Sequence, residues 1–475
     1  MKQTSLFLLV TFFSWTTFGQ ESHYWKNQHG PTSNFLGGAV TGGVRDNSHI
    51  FYNPGAAAFT TNFNISLQSD ALFYETLYLK DGAGEGKSLY HNNFETAPQM
   101  LAFTYGKKDN PNWRTSFGYL NMTYSNIKLR SRYEELIDIY ANYPGDEIYV
   151  GSWNYRNRIR EDWYGAAVTK KFGDHLGIGA SLFVTYRSYE YIQSQDQNLY
   201  KRNANSTVYD PVRYYSISDN MDGAAAGLLL KIGAAYEIGD FKLGVTVTTP
   251  RAQLDFLSSM TLNSTLYAVF LDADSSIAPT NYSLLYERAE STYRSPWVVD
   301  FGIMKNFFET DIYLRISYHS KVEPYEMIEA VDQSEISKII SQSHEGAGVV
   351  TMAHKEIWNV GIGWNRMYTK KFGLMAGLRT DFNYVDYEAL GNEPGFTPAI
   401  SYWNLYHFSA GTNVVFLKHN FTVGFTYSIG RDYNGMQLVN LTPPESDELI
   451  NSTEAVTTVQ YDKWQLTIGY VYNFW

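Results

Sequence analysis

Cysteine is absent from the 475 residues of the chain. Its absence excludes disulfide bonds, zinc–thiolate sites, cysteine nucleophiles and the acylated cysteine of a lipoprotein. Positive charge is scarce as well, since 37 Lys and Arg stand against 48 Asp and Glu, for a net charge of −11. Non-specific nucleic-acid binding depends on a basic surface, so we expect no nucleic-acid partner.

Long apolar runs are also missing beyond residue 20. The longest is 223–230, and Lys231 closes it. Because a membrane-spanning helix needs about 20 apolar residues, this part of the chain is not expected to cross a membrane as helices. The first residues differ, with Lys2, an apolar stretch at 6–13 and small residues near Gly19. This pattern predicts a signal peptide over residues 1–19 and an exported protein.

Aromatic residues are abundant, with 39 Tyr, 28 Phe and 11 Trp. An exported chain rich in Tyr and Trp fits either a large soluble β-protein or an outer-membrane barrel. Apolar residues alternate with small or polar ones in segments such as 176–184, 241–248, 358–364 and 372–378. This period of two is typical of strands with two unlike faces.

The composition of the two faces favours the barrel. One face is apolar, uncharged and often ends in Trp, Tyr or Phe, whereas the other carries Gly, Thr, Ser and Asn. Aromatic residues at both ends of an aliphatic band match the girdles of transmembrane barrels, where one Lys or Arg at the midplane costs about 2–4 kcal/mol. The predicted fold class is all-β, a transmembrane antiparallel β-barrel.

Fourteen barrel strands are predicted. They span residues 64–79, 98–106, 113–123, 162–172, 176–187, 224–237, 241–249, 296–307, 311–319, 356–366, 372–382, 404–416, 420–429 and 463–474. Tight turns alternate with long connections, as in the outer membrane of Gram-negative bacteria, where the short turns are periplasmic. An even strand count places both termini on the periplasmic side.

The last strand ends in Phe474 and Trp475. An aromatic end of this kind resembles the signal by which the barrel-assembly machinery recognises its substrates, so that machinery is an expected partner. Closure is required, because an unpaired backbone group in hydrocarbon costs several kcal/mol. We therefore expect the first strand to pair with the last.

The segment before the barrel, residues 20–62, combines turn residues with apolar ones such as Phe35, Leu36 and Phe51. A fourteen-strand barrel has a lumen too wide to be filled by its own side chains. The apolar content argues against a disordered tail, so we expect this segment to fold inward as a plug, with the barrel over residues 63–475.

Three short elements in this segment resemble the N-terminal signature of the long-chain fatty-acid transporter (FadL-type) family, in a Bacteroidetes-like form. They are Gly-Gly-Ala at 37–39, Arg-Asp-Asn-Ser at 45–48 and Asn-Pro-Gly at 53–55, where the family has Asn-Pro-Ala. The resemblance implies a fourteen-strand barrel with a lumenal plug. The candidate plug or gate residues are Gly38, Asp46, Asn53, Pro54 and Gly55.

The resemblance also implies passive, non-enzymatic uptake of hydrophobic molecules such as long-chain fatty acids, with plug movement and lateral release into the membrane. Membrane lipids and a hydrophobic small molecule are then the expected partners, and no cofactor is expected. Some relatives in Bacteroidetes-type bacteria are instead subunits of secretion or assembly complexes. The long Tyr-rich loops predicted at 124–161, 188–223, 250–295 and 430–462 would suit that role. A general polar porin is a third possibility, which a plug argues against.

One predicted loop, residues 321–343, has apolar residues at helical spacing. It is either an extracellular helix that receives a hydrophobic ligand or a lid that packs on neighbouring loops. Its candidate ligand-binding residues are Met327, Ile328, Val331, Ile336, Ile339 and Ile340. No Gly-x-Ser-x-Gly elbow is present and no regular metal-ligand spacing occurs, so we expect no enzyme and no metal site.

Overall fold

The computed structural model describes residues 22–44, 46–60, 63–106, 112–138, 145–202, 209–270, 280–329, 348–391, 393, 397–443 and 456–474. Within these residues, no helix is both long and apolar enough to cross a membrane. The described helices are short. They are the 3-10 helices Ser33–Leu36, Pro54–Phe59 and Asp255–Leu257 and the α-helices His49–Tyr52 and Tyr387–Leu390.

Twenty strands lie in the described residues. In chain order they are β1 (Phe63–Lys80), β2 (Leu89–Tyr105), β3 (Trp113–Ile137), β4 (Glu147–Phe172), β5 (Leu176–Arg202), β6 (Tyr209–Ile238), β7 (Phe241–Thr248), β8 (Ala252–Gln253), β9 (Ser259–Phe270), β10 (Thr280–Ser291), β11 (Val298–Phe307), β12 (Thr310–His319), β13 (Val322–Glu326), β14 (Ile328–Glu329), β15 (Thr351–His354), β16 (Ile357–Thr369), β17 (Phe372–Asp381), β18 (Leu405–Phe416), β19 (His419–Met436) and β20 (Val456–Asn473).

Fourteen of these strands form a closed antiparallel barrel: β1–β7, β11, β12 and β16–β20. Strands β7 and β11 pair across the segment between them, and so do β12 and β16. Strand β1 closes the barrel on β20, from Asn64 opposite Asn473 to Lys80 opposite Thr458. The strand count, the antiparallel order and the pairing of first with last confirm the predictions.

The lipid-facing character of the outer surface is visible on every barrel strand. Each strand presents at least one large apolar side chain outward that is more than a third exposed: Leu67, Phe103, Phe117, Val168, Leu182, Ile232, Val245, Phe301, Ile312, Ile362, Leu374, Phe408, Val423 and Ile468. An apolar band that runs around a whole molecule would be an aggregation hazard in water. It matches the hydrocarbon core of a membrane.

Four strands continue far past this band. Strands β3, β4, β5 and β6 have 25, 26, 27 and 30 residues, against about 9–11 for a membrane crossing. The predicted loops 124–161 and 188–223 are therefore largely strand, which corrects the prediction. Hairpin β9–β10 and the ends of β19 and β20 occupy much of 250–295 and 430–462. We call this end of the barrel the long rim, and the end with tight turns the short rim.

The helix predicted over residues 321–343 is wrong where the structure describes it. Residues Val322–Glu326 and Ile328–Glu329 are strands that pair with β15 and β10. The backbone N–H of Met327 donates to the carbonyl of Val350 at 2.7 Å, and the N–H of Thr292 donates to the carbonyl of Met327 at 2.8 Å. Cross-strand partners outweigh the helical spacing here. Val331, Ile336, Ile339 and Ile340 lie outside the described residues.

Candidate functional site: a lumenal cavity and a gap in the barrel wall

The N-terminal segment, meaning the described residues from 22 to 60, lies inside the barrel. Every described residue from 22 to 58 except Tyr24 is buried. Its carbonyl groups accept hydrogen bonds from opposite parts of the wall, with Phe35 bonded to Ser409 of β18 at 3.0 Å and Pro54 bonded to Thr169 of β4 at 2.6 Å. A chain that touches both walls at once occupies the lumen.

A belt of inward-facing glycines allows the segment to approach the wall. A Cβ atom at any of these glycines would overlap atoms of the segment; at Gly244 it would meet the carbonyl oxygen of Thr41. Several lie opposite one another in register, such as Gly179 with Gly233. The belt consists of Gly177, Gly179, Gly233, Gly244, Gly302, Gly363, Gly377, Gly411, Gly424 and Gly469. It explains why the second face of the predicted strands is so rich in glycine.

Asp46 links two parts of the N-terminal segment through hydrogen bonds. Its carboxylate accepts hydrogen bonds from the backbone N–H groups of Thr32 at 2.9 Å, Ser33 at 3.2 Å and Ser48 at 2.9 Å. A buried carboxylate with several N–H donors is well satisfied. Asp46 therefore joins the first half of the segment to the second.

Asn53 joins the segment to the wall. Its side-chain oxygen accepts from the N–H of Gly55 at 3.0 Å and caps helix Pro54–Phe59, while its amide donates to the carbonyls of Thr41 at 2.9 Å and Ala234 of β6 at 3.0 Å. Gly55 is needed for its size rather than for a positive φ, because a Cβ there would overlap the carbonyls of Gly177 and Gly233. The geometry thus ties these predicted residues to the docking of the segment.

Gly38 has a φ of +67°, a conformation that favours glycine. Its carbonyl accepts a hydrogen bond from Nη1 of Arg315 on β12 at 3.3 Å. This glycine therefore faces the cluster of charges on the barrel wall.

A cavity with about 820 Å³ of empty space lies between the N-terminal segment and the long rim. Its apolar lining comes from both sources, with Trp25 and Phe51 from the segment and Met122, Trp163 and Leu229 from the wall. An apolar, aromatic lining with a few polar groups is typical of sites that bind hydrophobic ligands.

In one cluster of charges in the cavity, a single carboxylate is shared by two cations. Asp300 of β11 accepts from Arg315 at 2.7 Å and from Thr246 at 3.0 Å, and Nζ of Lys231 lies 3.7 Å away. The Arg315 guanidinium lies 4.2 Å from the ring centroid of Trp25. This cation–π contact ties the wall to the N-terminal segment.

In a second cluster, several guanidinium N–H groups have no hydrogen-bond acceptor within the described residues. Arg187 of β5 pairs with Glu161 at 2.6 Å and stacks 4.2 Å from the ring of Tyr293. Arg251 lies on the same ring at 5.4 Å and donates to the backbone carbonyl of Ala225. Within the described part of the chain, Nε and Nη2 of Arg187 and Nε and Nη1 of Arg251 are buried without a hydrogen-bond partner.

The lining of the cavity is net positive. It includes four cationic side chains, Arg187, Lys231, Arg251 and Arg315, and two carboxylates, Glu161 and Asp300, which gives +2 in a chain of net charge −11. Burying a cation without a counter-charge is costly. The cavity is therefore suited to a ligand with an apolar body and an anionic head.

Tyr24 connects the N-terminal segment to the long rim. Its ring stacks between His319 at 4.4 Å and Tyr384 at 4.2 Å, and its hydroxyl hydrogen-bonds to Nδ1 of His354 at 2.9 Å. Burial lowers the pKa of His354 to about 3, so this imidazole is neutral at neutral pH. These contacts hold the N-terminal segment against the long rim beside the cavity.

The barrel wall has a gap between β2 and β3. The two strands pair only from Met100 opposite Leu120 to Tyr105 opposite Thr115, although both continue through described residues toward the long rim. Pro98 lacks an N–H to donate, and a register shift at Asn121/Thr123 bends β3. The resulting opening has about 500 Å³ of empty space.

The gap adjoins the cavity through the bulge of β3. Asn121 and Tyr124 line the gap, whereas Met122 and Thr123, between them in the chain, line the cavity. Beyond the gap, side chains bridge the strands, and Asn126 donates to Glu95 at 3.1 Å.

Known proteins were compared with the chain. No family model and no curated protein matches its sequence. Solved structures do match its fold. The toluene transporter TodX of Pseudomonas putida has a TM-score of 0.58 at 13% identity, covering 94% of this chain and 98% of its own. A FadL homologue of Pseudomonas aeruginosa has a TM-score of 0.56 at 11% identity, covering 97% and 100%.

The toluene transporter TbuX of Ralstonia pickettii is similar as well, with a TM-score of 0.52 at 13% identity, covering 94% of this chain and 98% of its own. These likenesses extend over nearly the whole chain. They confirm, at the level of the fold, the resemblance to FadL-type proteins that the N-terminal motif predicts.

Proposed function

We propose that the protein is a passive outer-membrane transporter of hydrophobic molecules with an anionic head, such as long-chain fatty acids. The observation that carries the proposal is the cavity, which combines aromatic walls with unpaired guanidinium N–H groups of Arg187 and Arg251. Proteins of similar fold are named as toluene transporters and a FadL homologue. The excess of cations is what favours an acid over a neutral hydrocarbon in this chain.

The N-terminal segment is proposed to act as the plug, with Gly38, Asp46, Asn53, Pro54 and Gly55 setting its docked position. A ligand would enter from the long rim, occupy the cavity, and leave sideways through the gap between β2 and β3. The adjacency of cavity and gap at the β3 bulge supports this route. Movement of the plug would connect the two.

The membrane arrangement is part of the proposal. The long rim would face the exterior, and the short rim and both termini the periplasm, after removal of residues 1–19. Phe474 stacks on Phe63 at 4.0 Å beside the closing pair of strands, whereas Trp475 lies outside the described residues. Recognition of this end by the barrel-assembly machinery stays a prediction.

Met327 and Ile328 are buried in a cluster with Tyr293 and Tyr325 on the long rim. Their burial favours the interpretation of this region as a lid that packs on its neighbours. A role in ligand capture stays a prediction for them and for the four candidate residues outside the described part.

The test is ligand binding to the purified full-length protein, followed by native mass spectrometry. We expect oleate to bind, oleate methyl ester to bind more weakly, and R251M to lower oleate affinity about tenfold, since a charge-assisted hydrogen bond contributes about 1.5–3 kcal/mol. The control is R366Q on the short rim. Equal affinity of R251M and wild type for oleate would contradict the proposed head-group site.

The alternative, a subunit of a secretion or assembly complex, has one supporting observation. The extensions of β3–β6 form a tall wall on the long rim that carries many Tyr side chains, and Tyr is favoured at protein interfaces. Stoichiometric co-purification of other outer-membrane proteins, together with an empty cavity, would favour this alternative.

A further inference from the structure

Six cations form a ladder on the outer face of β3 and β4, just beyond the apolar band on the side of the long rim. They occupy alternate positions of each strand: Lys128, Arg130 and Arg132 on β3, and Arg156, Arg158 and Arg160 on β4. The residues between them, such as Leu129 and Tyr155, are buried on the inner side. Lys128 lies opposite Arg156, and the other four cations are staggered along the two strands to either side of this pair, so that together they form one basic strip.

Among the described residues, half of these cations have no carboxylate within 4.0 Å, although Glu190 lies opposite Arg158 in register. Arg132 pairs with Glu134, Arg156 with Glu190 at 2.8 Å, and Arg160 with Asp162 at 2.7 Å. Lys128, Arg130 and Arg158 form no ion pair within the described ranges of the chain. A concentrated positive surface on a protein of net charge −11 indicates an anionic partner.

The height of the ladder above the apolar band follows from the spacing of residues along β4. The rings of Tyr119 and Tyr164, 5.4 Å apart, mark the edge of the apolar band below it. At about 3.3 Å per residue, Arg160 and Arg156 lie about 13 and 26 Å along β4 beyond Tyr164. For a strand tilt of about 40°, these positions are about 10 and 20 Å above the ring level.

The head-group zone of an ordinary phospholipid leaflet is about 5–8 Å deep, so the ladder reaches beyond its phosphates. We propose that the ladder binds the phosphorylated saccharide head group of a glycolipid in the outer leaflet. Guanidinium groups bind phosphate in a bidentate manner, and Lys128 and Arg156, which lie opposite each other on strands about 4.8 Å apart, can share one phosphate. Arg158 and Arg160 also line the wall gap, so a bound glycolipid stands beside it.

The inference rests on the proposed membrane placement but not on the identity of the transported ligand. The test measures binding of a diphosphorylated glycolipid, a lipopolysaccharide with two phosphates on its inner-core saccharide, to the full-length protein by native mass spectrometry, with the same glycolipid after dephosphorylation and phosphatidylglycerol as comparison probes. In K128Q/R130Q/R158Q we expect affinity for the diphosphorylated glycolipid to fall about 10- to 100-fold, because each basic residue contributes about 1 kcal/mol.

Two controls accompany this variant. K170Q/K305Q/K370Q removes the same charge at the short rim and should bind like wild type, and K128R/R130K/R158K keeps the charge and should retain binding. Oleate binding in the cavity should be unchanged in K128Q/R130Q, which leaves the gap-lining Arg158 in place, and this measurement separates the inference from the proposed function. Equal glycolipid affinity of K128Q/R130Q/R158Q and wild type would overturn the inference. Phosphatidylglycerol binding as tightly as the diphosphorylated glycolipid, or capture of an acidic protein in its place, would overturn it as well.

Discussion

Asp300 holds two buried cations, Arg315 and Lys231, on the inner wall of the barrel. Replacing it in D300N leaves both cations without their counter-charge, and breaking a buried ion pair in this way costs about 3–5 kcal/mol. We expect the free energy of unfolding, measured by urea titration in lipid vesicles, to fall by that amount. T246V removes one hydroxyl hydrogen bond to the same carboxylate and leaves both cations paired, so it should cost less, about 1.5 kcal/mol. Similar losses in the two variants would contradict the role given to Asp300.

His49 makes docking of the N-terminal segment sensitive to acid. Its ring bonds to Ser116 at 2.9 Å, and burial lowers its pKa to about 4 from an ordinary value near 6.5. When the segment is displaced, His49 binds a proton below about pH 6.5. When the segment is docked, His49 stays neutral down to about pH 4. Docking is therefore strongest above pH 6.5 and weakens as the pH falls, by about 2 kcal/mol between pH 7 and pH 5 from His49 alone.

Hydrogen exchange of the segment's amides, corrected for intrinsic rates, measures this effect. H49Q should reduce the pH dependence, with a residual part from His29, whose pKa burial lowers to about 3. H175Q, in an exposed turn of the short rim, should leave it unchanged. A wild-type segment whose opening free energy is the same at pH 5 and pH 7 would contradict the assignment.

Single residues of the site were partly predictable. The motif around Asp46 and Asn53 lies within about twenty residues, so the sequence could single out these residues, whereas their role in a gate stays a prediction. Arg187 and Arg251 were missed because they lie on separate strands that only the barrel register brings onto the ring of Tyr293. No local signal marks them.

The glycine belt ties the segment to the strands. A G244V side chain would overlap the carbonyl of Thr41, so we expect the segment to be displaced while the barrel stays folded. Because the chain has no cysteine, A56C placed at a buried position of the segment reports exposure by thiol labelling. Labelling should be at least about tenfold faster in G244V/A56C, since about 1.4 kcal/mol of lost docking energy gives that factor.

A166V/A56C is the matched control, because Ala166 is exposed on the outer face of β4. It creates the same valine side chain, with two added carbon atoms instead of three, away from the segment and should label slowly. Slow labelling in both variants would show that the glycine belt does not set the docked position.

Filling the gap between β2 and β3, the proposed exit, should slow the release of ligand. In A97W an indole occupies an opening whose empty space is about 500 Å³, so oleate should still bind in the cavity but leave more slowly. Transfer of preloaded oleate to lipid vesicles measures this step, and A166W serves as the control. A transfer rate equal to that of wild type would exclude the gap as the exit.

Strands were predicted correctly where contact with lipid imposes an alternation of apolar and polar residues. Where the strands leave the lipid, they were predicted too short. Beyond the apolar band, β3–β6 carry polar and Tyr side chains on their outer face, which look like loop composition. Their pairing continues because both sides of each hairpin keep backbone partners, from Asn121 to Ile137 in β3 for example. The helical spacing of apolar residues around Met327 led to a wrong prediction, because neighbouring strands bury these residues.

The closed barrel as a whole followed from the count of fourteen alternating segments and from the need to satisfy every backbone group in hydrocarbon. The cavity did not, because its volume depends on how the N-terminal segment sits against the belt of glycines. The net positive charge of its lining was not predictable either. The strand register brings these cations together, whereas the chain as a whole is acidic.

Uptake of radiolabelled oleate by Gram-negative cells that lack their own fatty-acid transporter tests the central claim most directly. Cells that produce the wild-type protein should take up oleate faster than cells without it, and cells that produce R251M in equal amounts should take up clearly less than wild type. If folded wild-type protein in the outer membrane gives no uptake above the background of cells without it, the protein is not a transporter of such molecules.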